Sequence, residues 1–222
     1  MMIPKTEFQA IISELQAHPL QENKYRLQSG GGKSQAFLVV NRRCLPPDYS
    51  RQCWLRPYLL KLLMDFGNKH VKDISWNAIT VNQNYKADKH YDKHNLGPSF
   101  LVAFGDYTGG ELLIHEGDLS GNHNVNCRPI QTDFSKILHS VAPFEGERYS
   151  LVYYNFHTKR SVPLPPASVK EEDGKWVFYR GDERIGKKEG LPHPLKGRKK
   201  DKGDAPTFSV ERRPEGYRVE FS

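Results

Sequence analysis

Three cysteines in 222 residues are few, and Cys44, Cys53 and Cys127 stand in no C-x-x-C spacing. An odd number so placed supports neither a disulfide framework nor a cysteine zinc site, and predicts buried, reduced thiols. Long apolar runs are missing as well: nothing approaches the roughly 20 residues that cross a bilayer. The first residues, MMIPKTEFQ, lack the basic-then-apolar layout of a signal peptide, so a soluble, intracellular chain with no membrane partner is expected. There is also no detached basic tail. The net charge of +7 divides into 19 basic against 15 acidic residues before residue 161 and 14 against 11 from there on. Such an excess permits a polyanionic partner without specifying one. The 15 prolines and 18 glycines are scattered, no repeat is present, and wholesale disorder is excluded by the 37% of apolar residues.

The length suits one sizeable core with at most a small appended module. Phe8, Ile11, Ile12 and Leu15 recur at helical spacing behind Thr6, a possible cap, and predict a short amphipathic helix. A second helix is expected from about Arg51 to Lys69, where Trp54, Leu55, Tyr58, Leu59, Leu62, Leu63 and Phe66 form an apolar stripe behind Asp48 or Ser50. Then the pattern changes. The runs ISWNAITV, SFLVAF, ELLIH, FSKILHSV and RYSLVYYNF are rich in β-branched and aromatic residues and are separated by Gly, Asn and Asp. With no helical pattern between them, they predict antiparallel sheets closed into a barrel or jelly roll. Residues 1–160 are thus expected to form this domain, buttressed by the two N-terminal helices. Residues 161–222 are expected to form a C-terminal β extension on or near it, with hairpins in KWVFYRGDERI and TFSVERRPEGYRVEFS and a basic loop, LKGRKKDKGD, between them.

The chemistry begins at HYDKHN, residues 90–95. His90 and Asp92 are two apart, so on an extended backbone both project from one face and can reach one ion. A H-x-D triplet alone proves little, but His139 ends a later predicted strand and completes a set of two imidazoles and one carboxylate. On one face of an octahedron that set leaves three adjacent positions open, as non-haem Fe(II) oxygenases require: two for a bidentate 2-oxo acid and one for dioxygen. In RYSLVYYNF, alternation puts Arg148, Ser150, Val152 and Tyr154 on one face and Tyr149, Leu151 and Tyr153 on the other. An inward arginine needs an anion; the candidates are the far carboxylate of 2-oxoglutarate, with the Ser150 hydroxyl beside it, or a barrel glutamate. His18, His70, His115, His123 and His193 fall outside this pattern and read as structural, and GDYTGGE reads as a tight inter-strand turn, since it lacks the lysine and helix of a phosphate loop.

These residues resemble the Fe(II)/2-oxoglutarate dioxygenases, and within them the TET/JBP group that oxidises the 5-methyl group of pyrimidines in DNA. HYDKHN is similar to the group's H-x-D-x-H-N segment, and RYSLVYY to its R-x-S-L-V-aromatic-Tyr strand. The likeness spans about residues 80 to 157. It implies His90, Asp92 and His139 as catalytic iron ligands, and Arg148 with Ser150 as the 2-oxoglutarate carboxylate site. His94, Asn95 and Tyr154 become base-contacting candidates, Tyr154 to stack on an extruded base and Asn95 to meet its edge. The animal enzymes carry a histidine two residues beyond the stacking tyrosine. Here Phe156 holds that position and His157 follows, so His157 takes the role where a bulge restores the orientation. The cysteine-rich zinc region of those enzymes is absent.

The resemblance therefore implies a distorted double-stranded β-helix, mainly β with flanking helices, that binds Fe(II), 2-oxoglutarate and O2, with ascorbate as accessory reductant. The expected activity is hydroxylation of 5-methylcytosine in DNA, with further rounds to formyl and carboxyl products, by a monomer. Thymine hydroxylation, RNA 5-methylcytosine oxidation, peptidyl-prolyl hydroxylation and a silent nucleic-acid-binding module are the alternatives.

Overall fold

The computed structural model describes residues 2–21, 31–42, 45–156, 164–186, 208–213 and 216–221. The chain divides into two units, Met1–Lys187 and Lys188–Ser222. In the first, a 3-10 turn over Lys5–Phe8 runs into α1 (Gln9–Ala17), followed by β1 (Lys33–Arg42), β2 (Leu45–Tyr49), α2 (Gln52–Leu55), α3 (Pro57–His70) and β3 (Ala78–Gln83). Next come β4 (Ser99–Gly109), β5 (Leu112–Ile114), β6 (Gly121–His123), β7 (Ile130–Thr132), β8 (His139–Val141) and β9 (Phe144–Tyr154), and then β10 (Ala167–Glu172), β11 (Lys175–Arg180) and β12 (Glu183–Ile185). The second unit contains one antiparallel hairpin, β13 (Phe208–Arg213) with β14 (Gly216–Phe221).

A six-stranded sheet in the order β2-β1-β3-β9-β4-β7 and a three-stranded sheet in the order β6-β5-β8, both antiparallel, make the distorted jelly roll that alternation of apolar runs predicts. Strand parity decides what each face does. From β9, Tyr149, Leu151 and Tyr153 are 0% exposed and join Ile79 and Val81 of β3 and Phe100, Val102 and Phe104 of β4 in one core. Ile11 and Leu15 of α1 and Leu59, Leu60, Leu63 and Phe66 of α3 cover that face. Phe8 stacks on Phe104 with ring centroids 4.5 Å apart. Gly67 permits the close seating of α3: a Cβ there would fall 2.6 Å from Cε1 of Tyr153. A smaller core of Leu101, Ala103, Leu112, Ile114, Val125 and Phe134 occupies the inside of the roll.

Two helix expectations need correction. The second helix is broken at Arg56, which adopts φ −136° and ψ 58° before Pro57, because the proline ring clashes with a helical backbone in the residue preceding it. Pro57 then opens α3, where its missing N–H costs nothing. Ser50 does serve the first piece: its Oγ accepts from the Gln52 N–H at 3.2 Å. At the N-terminus Thr6 lies within the 3-10 turn and caps no helix through its side chain. Strands β1 and β2 lie outside the runs read as strands, and β1 pairs with β3 over six residues. The hairpin β11–β12 forms in KWVFYRGDERI, and β10–β12 packs on α2 and α3 through the Tyr58–Trp176 stack at 5.6 Å and the Trp54–Phe178 pair at 6.4 Å. No helix among the described residues is long and apolar enough to cross a membrane. Cys53 and Cys127 are buried free thiols, and Cys44 lies outside the described residues.

Candidate metal centre and active site

The segment between β3 and β4 carries HYDKHN and is stitched to β8 by a two-way bridge. The His90 N–H donates to the His139 carbonyl at 3.0 Å, and the His139 N–H returns to the His90 carbonyl at 3.1 Å. Residues so opposed hold their side chains together, and the imidazole centroids are 4.2 Å apart. Asp92, two residues on, is fixed by its N–H to the Phe134 carbonyl at 2.9 Å. One ligand atom from each of His90, Asp92 and His139 lies within 4.8 Å of the other two.

The histidine tautomers follow from their partners. Nδ1 of His90 lies 2.7 Å from the Asp88 carbonyl and Nδ1 of His139 lies 2.9 Å from the Ile137 carbonyl. A carbonyl can only accept, so each Nδ1 carries the hydrogen and each Nε2 keeps its lone pair for an ion. Burial lowers the pKa of His139 and so favours this neutral form. The His90 Nε2 stands 3.5 Å from Asp92 Oδ1. Two imidazole nitrogens and a carboxylate oxygen suit a first-row divalent ion such as Fe(II).

A cavity of about 120 Å³ is lined by this trio and by Arg148, Ser150, Val152 and Tyr154 from the inward face of β9. Arg148 is 2% exposed, and burial depresses its pKa. Its guanidinium carbon lies 5.5 Å from the Tyr107 ring centre and 5.6 Å from that of Phe144. No Arg148 ion pair is found among the described residues, and its Nε is buried without a hydrogen-bond partner. Tyr107 and the Glu111 carboxylate lie near enough to favour its charged form, but no glutamate among the described residues forms an ion pair with it. Of GDYTGGE, read from sequence as a turn, residues 105–109 continue β4 against β9 and only Gly110 and Glu111 turn into β5, where they make room for Arg148. Gly110 adopts φ +71°, and a Cβ there would meet Arg148 Nε at 2.9 Å.

The structure adds one residue to those read from sequence. Asn82 on β3, opposite Ser150 in register, is 9% exposed and donates from Nδ2 to the Ser150 Oγ at 3.1 Å. That leaves the Ser150 O–H to donate elsewhere and the Asn82 Oδ1 buried with no partner among the described residues. Its signal in the sequence was slight: Thr80 and Asn82 are the polar, same-parity members of AITVNQ, which shows only once the strand is paired with β9.

Tyr154 and Asn95 line the cavity; the Tyr154 hydroxyl is 3.3 Å from Thr80 Oγ1. Asn95 spends its amide hydrogens on Asp92 Oδ2 at 3.2 Å and Ser99 Oγ at 3.1 Å, so its carbonyl oxygen is what remains for a ligand. His94 is exposed, does not line the cavity, and sits 6.2 Å from the Phe156 ring. His157 lies outside the described residues, as does His193. Other histidines have partners elsewhere: His70 with Glu7 at 3.2 Å, His115 with Ser140 at 2.8 Å and His123 with the Leu119 carbonyl at 2.6 Å.

No family model matches the chain, and no curated protein matches it. Among solved structures, the chain is similar to NgTET1 in complex with 5mC DNA at 14% identity, covering 72% of this chain and 71% of that one with a TM-score of 0.49. It is also similar to an oxidoreductase of the 2OG-Fe(II) oxygenase family from Burkholderia pseudomallei, at 19% identity, 69% and 81% coverage and a TM-score of 0.47. A prolyl-4-hydroxylase from Pseudomonas putida is similar at 13% identity, 70% and 89% coverage and a TM-score of 0.43.

Proposed function

We propose that this chain is an Fe(II)- and 2-oxoglutarate-dependent oxygenase that hydroxylates the 5-methyl group of 5-methylcytosine in DNA. One observation carries the reading: one ligand atom from each of two imidazoles and a carboxylate converges within 4.8 Å, and a buried arginine with no ion-pair partner among the described residues lines the same cavity. His90, Asp92 and His139 would hold the iron. When bound, the metal and cosubstrate supply activation of dioxygen coupled to oxidative decarboxylation of the 2-oxo acid. The Arg148 fork matches the far carboxylate of a diacid, and the Ser150 O–H, set by Asn82, adds a donor to it. Leu101, Leu112, Val141 and Val152 supply apolar wall, which strengthens that pairing by keeping water away.

The substrate assignment rests on finer features. Tyr154 offers an aromatic face to an extruded base. On a pyrimidine the ring substituent next to the 5-methyl group on the pairing edge is the 4-substituent: an amino donor in cytosine, a carbonyl acceptor in thymine. The Asn95 carbonyl, beside the Asp92 ligand, complements the amino group and so favours cytosine. Lys86, Lys89 and Lys93 stand exposed on the ligand-bearing segment, where a phosphate backbone would find them.

The test is incubation of methylated DNA with the protein, Fe(II), ascorbate and 2-oxoglutarate, followed by mass spectrometry of the nucleosides. Unmethylated thymine-containing DNA, methylated RNA and a proline-rich peptide run in parallel. 5-Hydroxymethylcytosine formed only with 2-oxoglutarate is the expected result. Oxidation confined to another arm overturns the substrate, and no decarboxylation of 2-oxoglutarate in any arm overturns the oxygenase.

A further inference from the structure

We infer that Asn95 is a positioning residue for the metal centre: it tethers one oxygen of the Asp92 carboxylate so that the other is presented to the two imidazoles. The inference rests on the metal-centre reading above. A carboxylate can only accept, so the end of the Asn95 amide that faces Asp92 Oδ2 at 3.2 Å must be the NH2 group. The second amide hydrogen goes to the hydroxyl of Ser99, which is 0% exposed at the start of β4. Asn95 is itself held by its backbone: its N–H donates to the Asp92 carbonyl at 2.9 Å, closing a turn, and it bridges to Phe156. The next N–H, of Leu96, reaches the Asn155 carbonyl at 2.8 Å. The tether is therefore anchored independently of the group it restrains.

What it restrains is a soft torsion. The second side-chain torsion of an aspartate has a broad, roughly two-fold profile, so an untethered carboxylate samples several presentations to an ion. With Oδ2 engaged by Asn95, Oδ1 stands on the side of His90 Nε2, 3.5 Å away. That arrangement favours single-oxygen ligation and keeps the remaining coordination positions for other ligands. Partners one shell out from a metal typically change its affinity 10–100-fold.

The experiment titrates the metal-free full chain with Co(II) alone, without 2-oxoglutarate or nucleic acid. Calorimetry gives affinity, and visible absorption reports the coordination geometry. Asn95→Ala should raise the Kd about 10–100-fold and change the Co(II) absorption spectrum, with the melting temperature of the metal-free protein near that of the parent. Ser99→Ala, which loosens the tether without touching Asp92, should shift Kd the same way by a smaller factor. It decides the matter should Asn95→Ala fail to fold. Parental affinity and spectrum in Asn95→Ala, or in Ser99→Ala where it alone folds, overturn the positioning role while the metal centre stands. Failure of the parent chain itself to bind Co(II) overturns the metal centre and the inference with it.

Discussion

The two faces of the six-stranded sheet use the same strands for opposite ends. On β9 the odd residues Tyr149, Leu151 and Tyr153 are sealed against helices, and the even residues Arg148, Ser150, Val152 and Tyr154 line a polar cavity. Neighbouring strands follow the same parity: Ile79 and Val81 face out toward α3, Thr80 and Asn82 face in. The outer face is mainly apolar. Its tyrosine hydroxyls are satisfied, Tyr153 donating to the Leu63 carbonyl at 2.7 Å and Tyr149 to Glu147 at 2.6 Å. The orphaned oxygens of its parity, on Gln35 and Gln83, lie toward the Lys33 end of β1, away from the Phe37–Ile79 pair. The inner face holds orphaned polar atoms, Asn82 Oδ1 and Arg148 Nε, each of which costs the fold stability while no ligand pairs with it. The lesson is that stability and recognition are separated by a single-residue alternation, so the two faces should respond to substitution in opposite ways.

The most direct way to break that comparison is to damage each face once. On the outer face, Phe104→Ala removes a ring 1% exposed that stacks on Phe8 and on Tyr149 at 5.6 Å. It should cost about 3–5 kcal/mol in urea unfolding. On the inner face, Arg148→Met replaces a buried cation lacking an ion pair with an apolar chain of similar length. Its unfolding free energy should be unchanged or raised, while 2-oxoglutarate affinity, measured by calorimetry, falls by about a hundredfold or more, since two charge-assisted hydrogen bonds are lost. Strong destabilisation by Arg148→Met would mean that the arginine belongs to the core, and the two faces would not differ in kind.

A smaller effect sharpens the same contrast. Gly110 contributes to the inner face only the absence of a side chain, so Gly110→Ala adds one methyl group at φ +71° and 2.9 Å from Arg148 Nε. The strain in the turn should cost about 1–2 kcal/mol, and the displaced guanidinium should weaken 2-oxoglutarate binding more than it lowers the melting temperature. Equal binding in the variant and the parent would show that Arg148 has room to spare.

Much of this division was legible in the sequence, because parity along a strand is a period of two and RYSLVYYNF states it without help from tertiary structure. The convergence of His90, Asp92 and His139 was legible only in part: His139 was expected to end a strand and instead opens β8, and His90 meets it from a segment between strands through an isolated bridge. What could not be read were features set by pairing between distant segments. Asn82 acquires its role only opposite Ser150, and the Asn95 amide is committed to Asp92 and Ser99 by a turn. The helix break at Arg56 was local and could have been read from Pro57, but the apolar stripe on both sides of it gave no sign of a change in phase. Strand β1, KSQAFLVVNR, escaped because its apolar residues 36–40 form one unbroken run instead of an alternation, and its buried hydrophobics, Phe37 and Leu38, are adjacent. Leu38 adopts φ 60°, which disturbs the alternation there.

The smallest effect tests how tightly the outer face is sealed at that irregularity. Leu38 gives its N–H to the Cys53 thiol at 3.2 Å, and Cys53 is 0% exposed. Burial pushes its pKa up to about 12, so at pH 8 almost none of it is thiolate, the form that reacts. Iodoacetamide at pH 8 should leave Cys53 unmodified in the folded protein over hours, as peptide mass spectrometry would show, and should label it in urea along the same transition that the unfolding curve of Phe104→Ala shifts to lower denaturant. Labelling of Cys53 well before that transition would mean that β1 opens apart from the rest of the core, and that the outer face is less uniform than its burial indicates.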